Sequence, residues 1–297
     1  MGNTIRTSRE DKVFSIIAYT LVTLAMVITL YPLLYCVGAS FSDPLEVVQG
    51  KVLLFPKSPT LIAYQTAARN AGMLTGYRNT IGITVLGTLI NLVMTIAVAY
   101  PLSKKDFWGR NGITVLFTIT VFFTGGMVPN FLLVRDLGLY DTIWALILPS
   151  AVSMWNLVIM RTYFQSSIPE EICESAYIDG CSNIAALVRI VLPLSMPILA
   201  VMVIFYGVNH WNSYFNALLY LRDRNKYPLS LVLREILLQG MGQEKTGAEL
   251  VDSAADLLLF ETLKYAVIIV SSLPMLILYP VLQRYFVKGV MVGSLKG

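Results

Sequence analysis

Residues 209–216 combine amide and aromatic side chains in a spacing that suits the binding of a polyhydroxylated solute. Asn209, Asn212 and Asn216 recur at i, i+3 and i+7, so a continuous helix places them on one face. Amides pair with hydroxyl groups, and aromatic rings stack on the apolar face of a pyranose. The competing interpretation is a structural stripe of amides that bonds neighbouring helices. The predicted solute pathway comprises Asn209, His210, Trp211, Asn212, Tyr214 and Asn216.

The rest of the chain lacks the residue patterns that enzyme chemistry needs. His210 is the single histidine, and the cysteines Cys36, Cys173 and Cys181 have no zinc or iron–sulfur spacing, so we expect no metal and no other cofactor. The only Gly-Lys pair, Gly50-Lys51, lacks the preceding glycine of a phosphate-binding loop. We therefore predict that the chain is not an enzyme and has no catalytic residues. Any energy source must come from a partner.

Residues 162–192 predict a helix, a turn and a second helix between two apolar stretches. Pro169 suits the first turn of a helix, and the acidic residues after it place negative charge near the positive end of that helix. Gly180 suits the left-handed conformation that ends a helix. Asp179 and Ser182 suit hydrogen bonds at the turn and at the next helix start. The alternative interpretation is a solvated connector.

The same loop resembles the Glu-Ala-Ala loop of bacterial ATP-binding-cassette importer permeases. The family pattern is Glu-Ala-Ala, three residues, Gly, nine residues and Ile-x-Leu-Pro, and this chain departs from it only at Ser175, a small-for-small change. In that family the loop is a coupling helix that docks in a cleft of the cytoplasmic ATPase. The resemblance assigns ATPase coupling to Glu174, Ser175, Ala176, Asp179, Gly180, Ile190, Leu192 and Pro193.

The resemblance covers nearly the whole chain. The chain most resembles the second, six-helix permease subunit of carbohydrate importers of the maltose-permease type. Residues 123–126, 135–139 and 209–212 resemble the branch that handles complex oligosaccharides, including those that contain uronic acids. In relatives the C-terminal tail enters the interface between the two ATPase subunits, and the corresponding residues are Lys288, Gly289, Lys296 and Gly297.

These residues need elements to position them, and the composition indicates apolar helices in a bilayer. The 297 residues are 56% hydrophobic and 13% charged, with a mean hydropathy of +0.67, whereas a soluble domain is about one quarter charged. Six stretches of 19 to 32 residues carry no charge, and a bilayer-crossing helix needs roughly 20. A soluble globule, a disordered protein and a nucleic-acid binder are excluded. We predict an all-α integral membrane protein that forms one domain over 1–297, with a cytoplasmic coupling loop at 162–192. The six predicted membrane spans are about 14–37, 80–101, 112–134, 142–161, 196–220 and 264–284.

Six spans place both termini on one side of the membrane, and basic residues in the short segments indicate that this side is the cytoplasm. Lys104, Lys105 and Arg110 crowd one seven-residue loop, and the last 14 residues carry three basic residues and no acid. A net charge of +4 implies no acidic partner. We predict a multi-pass protein of the bacterial plasma membrane with cytoplasmic termini.

The resemblance implies the partners. The protein partners are a homologous permease that forms a heterodimer with this chain, two cytoplasmic ATPase subunits and an extracytoplasmic solute-binding protein that delivers the cargo. The cargo is an oligosaccharide, and the chain is embedded in the lipid bilayer. No nucleic acid is expected as a partner. Two alternatives stay open. One is an importer of amino acids or peptides, whose permeases use a similar loop. The other is a self-contained channel or ion-coupled carrier, which the absence of acids and bases inside the spans disfavours.

Overall fold

The computed structural model describes residues 9–123, 125–243 and 254–294, and within these ranges the chain forms helices and no strand. Three short segments interrupt the α-helices: 3-10 turns at Leu148–Ser150 and Arg224–Lys226 and a π-helical turn at Leu187–Val191. The helices are α1 (Arg9–Ser40), α2 (Pro44–Val48), α3 (Ile62–Arg69), α4 (Ala71–Ser103), α5 (Arg110–Phe122), α6 (Met127–Asp136), α7 (Trp144–Ile147), α8 (Met154–Ser167), α9 (Glu170–Ile178), α10 (Asn183–Ala186), α11 (Leu192–Leu194), α12 (Met196–Trp211), α13 (Phe215–Tyr220), α14 (Leu229–Gln243) and α15 (Ala254–Ser294).

Length and composition mark three of these helices as able to cross a membrane alone: α1, α4 and the stretch Leu258–Pro280 of α15. Bent pairs supply up to three more spans if each pair counts as one. The pairs are α5 with α6, α7 and its 3-10 turn with α8, and Asn183–Leu194 with α12. The six intervals derived from the sequence stay predictions.

The predicted span 196–220 is broken, because α12 ends at Trp211 and α13 begins at Phe215. The N–H of Asn212 still bonds the Val208 carbonyl at 3.0 Å, but the N–H of Tyr214 turns to the Asn212 carbonyl at 2.7 Å. Asparagine and serine favour such helix ends, since their side chains compete for backbone groups. One continuous helix through the three asparagines was therefore the wrong prediction.

The chain divides into two compact units, Met1–Asn70 with Glu235–Ser272 and Ala71–Arg234 with Leu273–Gly297. In the first unit, Ala39, Val47 and Val52 form a small core beside Tyr35 and Tyr265, whose rings meet edge-on at 5.6 Å. A single domain over 1–297 stays a prediction.

The second unit is built around α4, against which α8 and α12 pack. Among its described residues, two apolar clusters form a core, one including Leu157, Met160 and Met202 and the other including Ile83 and Ile147. The packed face of α4 also carries polar side chains. Thr80, Asn91 and Thr95 hydrogen-bond to neighbouring elements, whereas the Thr88 hydroxyl is buried without a hydrogen-bond partner among the described residues. This polar face positions the candidate site. Its buried polar members are Thr80, Thr88, Asn91 and Thr95.

Candidate solute pathway and coupling surface

Hydrogen bonds between side chains and neighbouring elements fix the two ends of the polar face of α4. The Thr80 hydroxyl accepts the Leu229 N–H at 2.8 Å, and the Thr95 and Tyr206 hydroxyls lie 2.7 Å apart. Both contacts are buried, and a buried polar group left unpaired costs about 1–3 kcal/mol. The pairs therefore set the register of α4 against α12 and the start of α14.

The middle of this face holds the histidine. His210 is 3% exposed and Asn91 is fully buried, and the imidazole Nε2 lies 2.7 Å from Asn91 Oδ1. The Asn91 amide nitrogen donates to the Ser150 carbonyl, so its oxygen must face the histidine. An amide oxygen only accepts, and hence His210 carries its proton on Nε2. The series of hydrogen bonds from Ser150 through Asn91 to His210 joins three elements at the point where the fourth predicted span bends.

The hydrogen bond between His210 and Asn91 requires the imidazole ring to lie close against the backbone of α4 at Gly87. A Cβ atom on Gly87 would lie 2.6 Å from His210 Nε2 and 2.7 Å from Cε1, closer than real Cβ contacts occur. Glycine is needed at this position for space rather than for its backbone freedom, because Gly87 lies within the regular helix α4.

Five of the six residues predicted for the solute pathway line one polar pocket of about 190 Å³. The break between α12 and α13 brings them together, so the residues converge although the single-face argument fails. Trp211 does not line this pocket, and its ring lies 6.4 Å from that of Tyr77, edge-on. The pocket walls are Asn209, His210, Asn212, Tyr214 and Asn216, with Leu146, Ser150, Ser213 and Phe215.

The predicted helix–turn–helix is present in the loop 162–192. Helix α9 ends in a left-handed Gly180 with φ of +80°, whose N–H bonds the Tyr177 carbonyl, while the Cys181 N–H bonds the Ala176 carbonyl. This pair of bonds is the Schellman arrangement that satisfies the last carbonyls of a helix. The Ser182 hydroxyl accepts the Ala185 N–H at 3.3 Å and caps α10. Asp179 is the C-cap residue of α9.

Details at the two ends of this loop differ from the prediction. Pro169 is the N-cap of α9 in an extended conformation rather than a first-turn residue. Ile190 lies in the π-helical turn, and Leu192 and Pro193 lie in α11. Proline has no N–H to donate to the preceding turn, and this missing bond accompanies the widened helix.

The loop exposes an apolar surface flanked by polar groups. Ile178 is 86% exposed and Ile184 is 75% exposed, one on each side of the Gly180 turn. Glu174 and Ser175 are also exposed, whereas Ala176 is half-buried. We name the exposed residues 174–184 of this helical hairpin the coupling surface.

A groove of about 1200 Å³ separates α9 from the end of α4 and the loop after it. The Tyr100 and Tyr177 hydroxyls approach to 3.3 Å, and the Lys104 ammonium lies 5.4 and 5.6 Å from the two ring centroids. Lys105 donates to Glu170 at 2.8 Å. This hydrogen bond and its charge raise the pKa of Lys105 and lower the pKa of Glu170.

Near the other end of α4, Asp141 holds a loop together. Its carboxylate accepts the N–H groups of Arg222 and Asp223 at 2.9 and 3.0 Å and pairs with Lys226 at 3.0 Å. The two N–H groups and then the ammonium lower the pKa of Asp141 to about 2. Asp141 has φ of +58°, an uncommon conformation for which aspartate and asparagine are favoured. Asn79 donates to the carbonyls of Asn225 and Tyr227 and ties the same loop to α4.

The family model described as "Binding-protein-dependent transport system inner membrane component" matches residues 1–292. The chain belongs to this family. As an inner membrane component of this kind, it is a multi-pass permease subunit of an ATP-binding-cassette importer and a transport protein rather than an enzyme.

Relatives of this inner membrane component cover it almost completely. It is 39% identical to Protein LplC of Bacillus subtilis (strain 168) over 99% of both chains. It is 37% identical to the polygalacturonan/rhamnogalacturonan transport system permease protein YtcP of the same organism, over 97% of this chain and 100% of that one. Among solved structures, a chain of a bacterial ABC transporter involved in the import of the acidic polysaccharide alginate is 33% identical, with a TM-score of 0.86, covering 95% of this chain and all of that one.

Three residues of this arrangement escaped the sequence argument. Asn91 and Gly87 lie in an apolar stretch, and a single amide there, one turn from a glycine, was the available signal. Asp141 gave no signal, since its importance depends on a loop more than 80 residues away. Of the predicted tail residues, Lys288 and Gly289 belong to α15, and Lys296 and Gly297 lie outside the described residues.

Proposed function

We propose that this importer subunit pairs with a homologous permease, two cytoplasmic ATPase subunits and an extracytoplasmic solute-binding protein, and that its cargo is an oligosaccharide containing uronic acids. The names of its relatives support the cargo, because they specify polygalacturonan, rhamnogalacturonan and the acidic polysaccharide alginate. The family description supports delivery by a binding protein.

The polar pocket at the α12–α13 break carries the cargo proposal. Three asparagine amides and a tyrosine hydroxyl converge there, and amides serve sugar hydroxyls both as donors and as acceptors. The residues that line the pocket include no carboxylate. A carboxylate-bearing sugar therefore meets no like charge from these walls. His210 contributes as a support for the pocket wall, because its Nε2–H is held by Asn91.

The coupling surface carries the ATPase proposal. Ile178 and Ile184 project from a helical hairpin whose turn is fixed by backbone hydrogen bonds at Gly180. Exposed aliphatic side chains on a rigid turn suit insertion into an apolar cleft of a partner. On this proposal the side of the membrane that holds α9 is the cytoplasm, and both termini lie there too. The tail from Lys288 to Gly297 reaches the ATPase interface.

The discriminating experiment is uptake into proteoliposomes that contain the two permeases, the ATPase and the solute-binding protein. We expect ATP-dependent uptake of oligogalacturonides or alginate oligosaccharides in preference to neutral maltooligosaccharides. Omission of the ATPase is the matched control and should abolish uptake. Equal uptake of acidic and neutral sugars would overturn the uronic-acid proposal, and preferential uptake of peptides would overturn the sugar proposal. Uptake without the ATPase would favour a self-contained carrier.

A further inference from the structure

A second polar pocket, distinct from the solute pathway, lies where α4, α5 and α8 meet beside the start of α9. Its volume is about 410 Å³. Basic side chains dominate the charged part of its wall, with one acid, Glu170, among them. The charged and amide residues of the wall are Lys104, Lys105, Arg110, Gln165 and Glu170.

These charges are unevenly paired. Glu170 forms an ion pair with Lys105, and the Lys104 ammonium lies over the rings of Tyr100 and Tyr177. Within the described ranges, no ion pair involves Arg110. Its Nε atom is shielded from solvent and has no hydrogen-bond acceptor there.

Arg161 adds a second guanidinium beside Arg110, although Arg161 is not itself one of the residues that line the pocket. Its Nη1 donates to the Thr114 hydroxyl at 3.2 Å, and that hydroxyl donates to the Arg110 carbonyl at 2.7 Å. The Nε of Arg161 is likewise shielded and without an acceptor, and no ion pair among the described residues involves Arg161. Two half-buried guanidinium groups with unused donors therefore lie along one side of α5. Such groups carry a desolvation cost that an anion with several acceptor oxygens offsets.

The surroundings of the pocket indicate where such an anion comes from. Trp108 is 94% exposed beside the basic cluster, and tryptophan favours the headgroup level of a bilayer. Past Arg110, α5 exposes apolar side chains around much of its surface. Val115 and Ile119 lie on the side away from Arg110, and Val121, three turns on, lies on the same side as Arg110. A basic pocket that opens beside a lipid-facing helix fits a phospholipid with its phosphoryl group on the arginines and its acyl chains along α5.

We propose that Arg110 and Arg161, with Lys104 nearby, bind the phosphoryl headgroup of an anionic phospholipid. The proposal uses the cytoplasmic orientation inferred above, which places the pocket at the inner leaflet. The bound lipid neutralises the arginines and fills the angle between α5 and α8. The lipid thereby holds in place the wall, on the membrane side, of the groove between α9 and the end of α4, next to the coupling surface.

The test places the full chain in nanodiscs made of equal parts phosphatidylcholine and phosphatidylglycerol, extracts it gently and counts the retained lipids by native mass spectrometry. The wild-type chain should retain phosphatidylglycerol preferentially. Arg110→Gln and Arg161→Gln should each lower that preference about fivefold, since one basic residue near an anionic surface contributes about that factor. Arg189→Gln is the matched control, because Arg189 is an exposed basic residue of the neighbouring π-helical turn that neither lines the pocket nor shares the Thr114 contact through which Arg161 is connected to Arg110. It should retain the preference.

Two outcomes would overturn the proposal. Unchanged preference in both arginine variants would show that the pocket does not select the headgroup. Loss of phosphatidylglycerol on addition of millimolar inorganic phosphate would assign the site to a free anion. If Arg110→Gln fails to fold, Arg110→Lys is the substitute, because it keeps the charge without the planar fork of the guanidinium. A phosphatidylglycerol preference between that of the wild type and no preference would support the proposal. Complete loss of the preference would oppose it. Because the assay contains no ATPase, binding protein or cargo, failure of the importer proposal leaves its result unaffected.

Discussion

His210 Nε2 lies 2.7 Å from Asn91 Oδ1, and this contact joins α12 to α4 in the interior of the protein. The Asn91 side-chain amide nitrogen in turn donates to the Ser150 carbonyl, so three segments share one series of hydrogen bonds. The geometry gives the only histidine a structural role in the wall of the amide pocket.

We expect Asn91→Leu to destabilise the protein by about 1–3 kcal/mol, because it leaves the His210 donor and the Ser150 acceptor buried and unpaired. Thermal unfolding in detergent measures the change. The double variant Asn91→Leu with His210→Phe is the control, since it removes both polar partners, and its loss should be smaller than the sum of the two single losses. Strict additivity would show that the two side chains are not coupled.

Gly87→Ala should lower the unfolding temperature, since the new Cβ would lie 2.6 Å from His210 Nε2. Overpacking of this kind costs about 1–3 kcal/mol. Gly82→Ala is the matched control on the same helix, because no atom outside its own turn lies within 4 Å of its added Cβ. The control should be neutral or stabilising by up to about 1 kcal/mol, as expected for alanine in a helix. Equal losses in both variants would contradict the close packing at Gly87.

Gly180→Val should weaken ATPase docking while leaving the membrane helices intact. A β-branched residue at φ of +80° is strained by about 1–3 kcal/mol. Copurification of the ATPase with the permease pair measures the effect. Gly180→Asn tolerates the left-handed conformation and should retain most of the docking. A valine variant that docks and transports like the wild type would show that the turn does not position the coupling surface.

Asp141→Asn should destabilise the protein at neutral pH and much less at pH 2, where the Asp141 carboxyl is about half protonated. The folded pKa of Asp141, about 2, is below its ordinary value, so its charge stabilises the fold above about pH 4. That contribution disappears as the pH falls towards 2. The asparagine keeps an oxygen for the two backbone N–H groups and tolerates a positive φ, so the substitution removes mainly the charge. Unfolding curves of both proteins at several pH values should therefore converge in acid. A constant difference across this range would rule out the carboxylate charge as the cause.

Asn212→Leu should reduce the apparent affinity for cargo several-fold, since one lost hydrogen bond is worth about 0.5–1.5 kcal/mol. Relative uptake of an acidic and a neutral oligosaccharide, normalised to assembled complex, measures it. Trp211→Ala is the comparison, because Trp211 lies against Tyr77 and outside the pocket wall. It should lower assembly and leave cargo preference unchanged. If both variants lower assembly alone, the amides are structural.

The sequence predicted the helical class and the coupling loop because both depend on local signals. Charge-free stretches predict apolar helices, and the left-handed turn at Gly180 follows from its place between two short helical patterns. Breaks were harder to predict. The interruption at residues 212–214 lies in a charge-free stretch, and the i, i+3, i+7 spacing of the asparagines runs through it and suggests an unbroken helix.

Long-range polar pairs were beyond the sequence for a different reason. His210 and Asn91 are 119 positions apart, and Asp141 reaches a loop 81 to 85 positions away. Each looks like an isolated polar residue until the helices are packed. The convergence of the three asparagines was anticipated, but the predicted mechanism was wrong, because a helix end rather than a helix face brings them together.

On the proposed solute pathway, the interruption between α12 and α13 makes the shape of the binding pocket depend on the angle between two helices. Asn209 belongs to α12 and Asn216 to α13, while Asn212 and Tyr214 lie at or beside the joint. A rotation of α13 about residues 212–214 therefore changes the spacing of the amides that we propose bind the sugar. Substitutions that stiffen this joint alter which oligosaccharides fit and also how readily the pocket rearranges. Attempts to re-engineer the cargo range at these positions will change turnover as well.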